Sequence, residues 1–348
     1  SSLISRAGLI DDVAAQNYTG EGIQTMVMEQ AIIKLLADMY GQTFDVKKIN
    51  KGSNDVFLCQ YADRKLIFKS YKNRGTHNDL EVDIQRCNPS FDFLRPLVHS
   101  DSECVLFKYP YALFRHVEGR SLYEIIIGGK LDGYDAQKIS SGVQQIIEAF
   151  ASIPVKHYGK MTSLSDESSQ LSWFDYFVDY QVPTLSELRA FSDLVGFCDR
   201  FEAMIRKYEI LLETGTKPTV IPVDLNMKNI LVTPDNHIYS LSGAVMSADY
   251  LYGVTQYFAH LQGTLLGDVF LSNLKLNDPD LLKLSIYCIS THLNVLAFIS
   301  KYTNESILDV KPWGNDRTFV ELVDENLTIL EQSSTTNHTN YHHTCVPR

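Results

Sequence analysis

Among the six cysteines of this 348-residue chain there is no CxxC pair, and basic residues are fewer than acidic ones. Cys59, Cys87, Cys104, Cys198, Cys288 and Cys345 are scattered, which excludes the paired spacing of zinc and redox motifs and reads as reduced, mostly buried thiols. The 42 acidic and 31 basic residues give a net charge of −11. That balance argues against a nucleic-acid backbone binder, whose affinity rests on basic patches. It favours cationic ligands mildly, or only solubility. No apolar run approaches the roughly 20 residues that span a bilayer, and no charged-then-apolar leader opens the chain. The expectation is a cytoplasmic protein with no membrane partner.

What is present is ordinary globular material, long enough for one large domain or two modest ones. Met26, Ile32, Ile33, Leu35, Leu36, Met39 and Tyr40 recur at helical spacing and predict a helix over Thr25 to Tyr40, stopped by Gly41. The pattern then turns to strands: FDVKKI, VFLCQYA and KLIFKSY, an antiparallel meander. A helix is expected over Thr76 to Cys87, ending before Asn88-Pro89, with further strands at Leu97 to His99 and Cys104 to Tyr109. ALFRHVEGRSL reads as a crossover. Beyond it, apolar residues recur at three and four over 121–150, 173–180, 185–214 and 257–302. The strong strand signal in that half is NILV, a PDN turn and HIYSL, a small hairpin. The layout is an extension and helix over 1–43, a sheet-rich part over 44–113, a crossover over 114–120, a helical part over 121–332 and a polar tail over 333–348. That tail carries His338, His342, His343 and Cys345 without an apolar framework to organise them as a metal site.

The chemistry concentrates in VIPVDLNMKNILV. Asp224 and Asn229 stand five apart, running from a loop into the first strand of the hairpin, whose second strand returns the Ser242 region beside Asn229. In phosphoryl transfer of the kinase kind, an aspartate accepts or orients the proton of the attacking hydroxyl while an asparagine amide holds magnesium against the phosphates. The spacing alone is weak evidence; the flanking strands strengthen it. Upstream, Gly52-Ser53-Asn54 fall between two strands, where backbone N–H groups can approach phosphates, although one glycine in a hairpin is also ordinary turn chemistry. Lys69 lies in an apolar strand, where a charge needs a partner. Glu81 is the natural one, with Asp79 and Asp83 weaker candidates. The alternation of Phe68 and Ser70 around Lys69 leaves an outward-facing lysine open as a second reading.

These stretches together resemble the aminoglycoside phosphotransferase and choline kinase-like family, a branch of the protein-kinase fold that phosphorylates small-molecule hydroxyls. KGSNDVFLCQ, KLIFKSY, ALFRHVEGRSL, SWFDYFVDY and above all IPVDLNMKNILV carry the resemblance, over roughly Phe44 to Leu330. It implies an α+β, bilobal fold: an N-lobe antiparallel sheet with a helix, and a mainly helical C-lobe. It also implies ATP or GTP with Mg2+ and a small-molecule substrate, cationic ones included. By it, Asp224 takes the base position, Asn229 a metal position, and Lys69 with Glu81 the pair that sets the phosphates. Gly52, Ser53 and Asn54 would line the phosphate loop. The nucleotide would lie between the lobes, its base against Phe114, Arg115, His116 and Val117.

Two departures from the family pattern stand out. Pro222 replaces the usual histidine two residues before the aspartate. Ser242 stands where the family's strand ends in a metal-binding aspartate, and a neutral hydroxyl is a weaker ligand for a cation that prefers charged oxygens. Asp249 is the nearest downstream carboxylate that could substitute; Asp235 belongs to the hairpin turn. Asp175 and Asp179, four apart on one helix face, are substrate-site candidates or a solvated surface. Two readings follow: an ATP-dependent phosphotransferase with a weakened metal site, or a catalytically silent pseudokinase that binds a ligand or a protein. A third, another reaction on a small metabolite, stays open, as does the oligomeric state.

Overall fold

The periodicity of the sequence changes from two to three-and-a-half near the crossover. The computed structural model, which describes residues 21–49, 54–72, 80–129, 133–164, 172–302 and 306–333, divides there into two units, Ser1–Glu118 and Gly119–Arg348. The chain is mixed helix and antiparallel sheet, strand-rich in the first unit and helical in the second.

In the N-terminal unit β1 (Asp45–Lys48), β2 (Asp55–Tyr61), β3 (Arg64–Ser70), β4 (Leu97–Asp101) and β5 (Tyr111–Arg115) form one antiparallel sheet in the order β1-β2-β3-β5-β4. Successive strand residues point to opposite faces, and both faces are covered. Leu66 and Phe68 of β3 join Phe57, Cys59 and Leu113 in a core with Ile32, Leu35 and Leu36 of α1 (Glu21–Tyr40). Ile67 and Tyr71 join Ala112, Phe114 and Val82 of α2 (Leu80–Cys87) on the other. A central strand buried on both faces carries apolar residues at consecutive positions, as Leu66, Ile67 and Phe68 do in KLIFKSY.

Three expectations are corrected here. The α1 helix begins four residues before Thr25, and the strand expected over Cys104 to Tyr109 is irregular chain. There Asp101 accepts hydrogen bonds from the backbone of Glu103, Val105 and Leu106, and Cys104 has φ of 58°, which no strand tolerates. The strand that pairs with β3 starts only after Pro110. The expected crossover begins later than Phe114 for the same reason, since Phe114 and Arg115 still belong to β5.

In the C-terminal unit β6 (Arg120–Ser121) leads into α3 (Leu122–Ile127), whose N-terminus is closed by a reciprocal Ser121–Glu124 capping box. Next come α4 (Ala136–Ala151), β7 (Gly159–Lys160), α5 (Trp173–Leu188), α6 (Ser192–Lys207) and α7 (Glu209–Glu213). Two three-stranded sheets follow from β8 (Thr219–Pro222), β9 (Ile230–Val232), β10 (Ile238–Ser240) and β11 (Val245–Ala248), in the orders β10-β9-β6 and β7-β11-β8. The unit ends with α8 (Tyr250–Phe258), α9 (Leu265–Asn273), α10 (Asp278–Tyr302) and α11 (Phe319–Gln332). The strands β6, β7 and β11 have no signal in the sequence, being two to four residues long.

α10 also corrects the reading of apolar runs. Over Asp278–Lys301 it is long and apolar enough to cross a membrane by composition, yet 67% of its most apolar window is buried inside the protein. It packs against α11, α8 and α5, as the core helix of the unit.

Candidate functional site

The segment that opens the chemistry leaves β8 at Pro222, a strand buried at every position. Val223 donates its N–H to Ala244 O (3.0 Å), and Leu225 and Met227 are buried anchors on either side of half-buried Asn226. Tyr123, in the first turn of α3, donates its N–H to Met227 O at 3.0 Å. Lys228 lays its ammonium over the rings of Tyr123 and Trp313, 5.1 and 4.3 Å from their centroids, a cation–π contact that holds the loop from outside. With its apolar residues inward, the loop turns Asp224 outward to solvent.

Two amides orient this aspartate. Asn226 donates Nδ2–H to Asp224 Oδ1 at 2.5 Å and accepts the Lys228 N–H at 2.9 Å, an Asx turn two residues after the acid. Asn229 donates Nδ2–H to the Asp224 carbonyl at 3.0 Å, so the acceptor end of its own amide faces elsewhere. The returning strand arrives beside it, for Leu241 donates its N–H to Asn229 O at 2.7 Å. Asn226 is not among the residues that the motif singles out, although an asparagine two residues after an aspartate in a loop is itself a turn signal.

Ser242 is buried and engaged with its own loop: its hydroxyl accepts the Ala244 N–H at 3.3 Å, and its carbonyl accepts from Ser240 Oγ at 2.8 Å. Asp249 is committed elsewhere. It caps α8 by accepting the Leu251 N–H at 2.8 Å on Oδ1, while Oδ2 accepts from Tyr287 OH at 3.0 Å and from Lys283 Nζ at 3.5 Å. Burial raises its carboxyl above the usual carboxylate range despite Lys283. Tyr287 in turn accepts from Trp173 Nε1 at 2.7 Å, so Asp249 ties α5, α8 and α10 together rather than facing Asn229 with a spare oxygen. Asp235 sits in the hairpin turn, where Thr233 donates to it. Asp175 and Asp179 are exposed on α5, with the Asp175 N–H capped by Ser172 at 3.1 Å. Among the described residues no group of three or more His, Cys, Asp or Glu side chains could hold a metal ion.

In the N-terminal unit Lys69 is buried on the α2 face of β3 and pairs with Glu81 in the first turn of α2. Tyr71, two residues on and thus on the same face, donates its OH to Glu81 Oε2 at 3.1 Å. Arg95, which carried no signal in the sequence, stands 3.6 Å from Glu81 Oε1 with its guanidinium 4.8 Å from the Phe114 ring centroid. Phe114 is therefore a core residue beneath Arg95. Arg115 is exposed, Val117 half-buried, and His116 lies 3.7 Å from Glu118, which Lys65 also binds at 2.5 Å. Burial pushes the His116 imidazole below its ordinary pKa. Asn54 is buried at the entry to β2; Gly52, Ser53, Asp79 and the histidines of the tail lie outside the described residues.

No protein-family model matches the sequence, and no curated protein matches it. Solved structures do match in fold. A thermostable mutant of the aminoglycoside phosphotransferase APH(4)-Ia, in ternary complex with AMP-PNP and hygromycin B, superposes with a TM-score of 0.61 at 14% identity, covering 88% of this chain and 100% of that one. The choline kinase LicA from Streptococcus pneumoniae gives 0.58 at 13% identity, over 88% and 99%. A mutant of aminoglycoside 2'-phosphotransferase-IIIa in its GDP complex gives 0.57 at 13% identity, over 88% and 97%. The chain has the protein-kinase-like fold of these enzymes.

Proposed function

We propose that the protein transfers the γ-phosphoryl group of a nucleoside triphosphate to a hydroxyl of a small molecule, with Asp224 as the base. The carrying observation is the loop after β8, where Asn226 and Asn229 both bond to Asp224 and leave its carboxylate exposed. The fold supports it, since the similar structures include phosphotransferases bound to AMP-PNP or GDP. In the reaction the acceptor oxygen attacks the γ-phosphorus, the bond to the bridging β–γ oxygen breaks, the nucleoside diphosphate leaves, and the hydroxyl proton passes to the Asp224 carboxylate. Most of the rate in such a transfer comes from positioning and from charge held against the phosphates. Lys69, paired with Glu81, would hold the phosphates of the nucleotide, and the backbone around Asn54 and the chain at Arg115 to Val117 would receive the rest of it. Acceptors include cationic alcohols, with Asp175 and Asp179 as exposed carboxylates on α5.

A magnesium ion fits the residues poorly. Asn229 offers one neutral amide oxygen, Ser242 turns its hydroxyl to its own loop, and both oxygens of Asp249 are occupied. Magnesium prefers charged oxygens in near-octahedral order, so no step is derived through it. This same poverty favours a second reading, a silent nucleotide-binding module. ATP consumption measured across a panel of small-molecule alcohols decides. Turnover is expected, and Asp224→Ala is expected to lower it by about a hundredfold or more without loss of the folded state. Turnover untouched by Asp224→Ala would overturn the assignment, and a melting temperature raised by ATP with no ADP formed would establish the silent module.

A further inference from the structure

Between α10 and α11 the chain makes a loop with PWGN, Pro312 to Asn315, at its tip. Asn315 donates its N–H to Pro312 O at 3.0 Å, and Gly314 between them has φ of 74°, the left-handed value that a type II turn requires at its third residue. Phe319 closes the base of the loop by donating its N–H to Val310 O at 2.9 Å. The tip is pinned on two sides. A Cβ on Gly314 would collide with Ile126 of α3, and the side chains of Asn315 and Arg317 both donate to Gln262 O, at 2.7 and 3.1 Å.

What this frame presents is Trp313. Its ring stacks on His260 with centroids 6.3 Å apart, packs edge-to-face with Tyr123 at 5.0 Å, and lies 4.3 Å from the Lys228 ammonium. The Lys228 side chain is exposed, so water alone would leave its ammonium free to wander; the two rings give it one place. From there the contacts reach Asp224 in two steps. The Lys228 N–H donates to Asn226 Oδ1 at 2.9 Å, which turns the other end of that amide, Nδ2–H, onto Asp224 Oδ1. Resting on the phosphotransfer reading above, we propose that Trp313 is a positioning residue, which anchors Lys228 by its ring face and, through Asn226, sets the direction of the Asp224 carboxylate.

A double-mutant cycle on the full chain tests this, read by turnover and by hydrogen exchange of the amides at 228 and 229. Both N–H groups bond to Asn226, the second to its carbonyl at 2.9 Å, so their protection reports the loop whether or not phosphate is transferred. Lys228→Met removes the charge and keeps the apolar stem of an exposed side chain. It is expected to speed that exchange about tenfold and to lower kcat about tenfold at unchanged KM for ATP. Trp313→Leu is expected to do the same, and the double variant no more than either alone. Lys228→Arg and Trp313→Phe, which keep the cation and the ring, are expected to restore both readouts. Trp313→Met takes the place of Trp313→Leu if that variant does not fold. Wild-type exchange in Lys228→Met, or effects that add in the double variant, would overturn the inference, since packing alone would then account for Trp313. A wild type without turnover would overturn the proposed function, while the exchange cycle would still decide whether Trp313 holds the loop.

Discussion

In the N-terminal unit Glu81 lies beneath two cations and a phenol, all buried, whereas in the C-terminal unit Asp224 is exposed and bonded by the amides of Asn226 and Asn229. The first arrangement is rich in charge and dry; the second is held by neutral amides and wet. The difference teaches where each kind of residue can survive substitution. A buried ion cluster is constrained by stability as well as by any ligand, because removing one partner leaves an uncompensated charge. A carboxylate on a solvated loop is constrained only by its chemistry.

The sharpest way to break this comparison is Glu81→Gln. It removes the carboxylate that Lys69 and Arg95 both face in the interior, and the expected loss is about 3–5 kcal/mol of stability in urea unfolding. Lys69→Met leaves Glu81 paired with Arg95 and should cost clearly less; equal costs would show that Arg95 does not share the carboxylate. Acid sharpens the contrast from the other side. His292 on α10 is fully buried in the C-terminal unit, donates Nε2–H to Ala259 O at 2.9 Å, and burial pushes its pKa down to about 4 from 6.5. Its folded-state value lies below its unfolded one, so the unfolded chain binds the proton first. Stability is therefore intact above pH 6.5 and lost as pH falls toward 4, by up to about 3 kcal/mol. Unfolding curves across that window should lose part of their slope in His292→Asn, while His260, which burial also holds at about 4, keeps the rest.

Ser242→Asp supplies the charge that the C-terminal unit lacks. The ratio of ATP affinity in magnesium to that in EDTA should then rise by about tenfold, at a cost of about 1–2 kcal/mol for burying the new carboxylate in a loop with few donors. An unchanged ratio in a folded variant would mean that Asn229 and position 242 do not meet one ion. The smallest expected change belongs to Asn226→Ala. Losing the amide on Asp224 should lower turnover by about tenfold, with the melting temperature nearly unmoved because Asn226 is half-buried in a loop.

The strand and helix order was legible because periodicity reports burial, and the kinase-like layout came from the resemblance carried by the motifs. Lys69 stood out because a charge inside KLIFKSY is disfavoured unless paired, and Glu81 was the natural acid on the next helix, ahead of Asp83. Three failures have physical causes. Cys104 to Tyr109 is apolar yet not a strand, because Asp101 gathers its N–H groups and Cys104 takes a left-handed turn. Arg95 left no trace in the pattern, since its contact with Glu81 crosses from the approach to β4 onto α2. The downstream acid Asp249 looked available as a spacing and is consumed as a cap and by Tyr287.

By itself the sequence determined the alternation of elements and the local turn around Asp224, because these depend on neighbours within a few residues. Only tertiary structure decided which charges are shared and which oxygens are already taken. Hydrogen-bond capacity is a matter of what else is packed within about 3 Å, and that partner is set by how distant strands and helices come together.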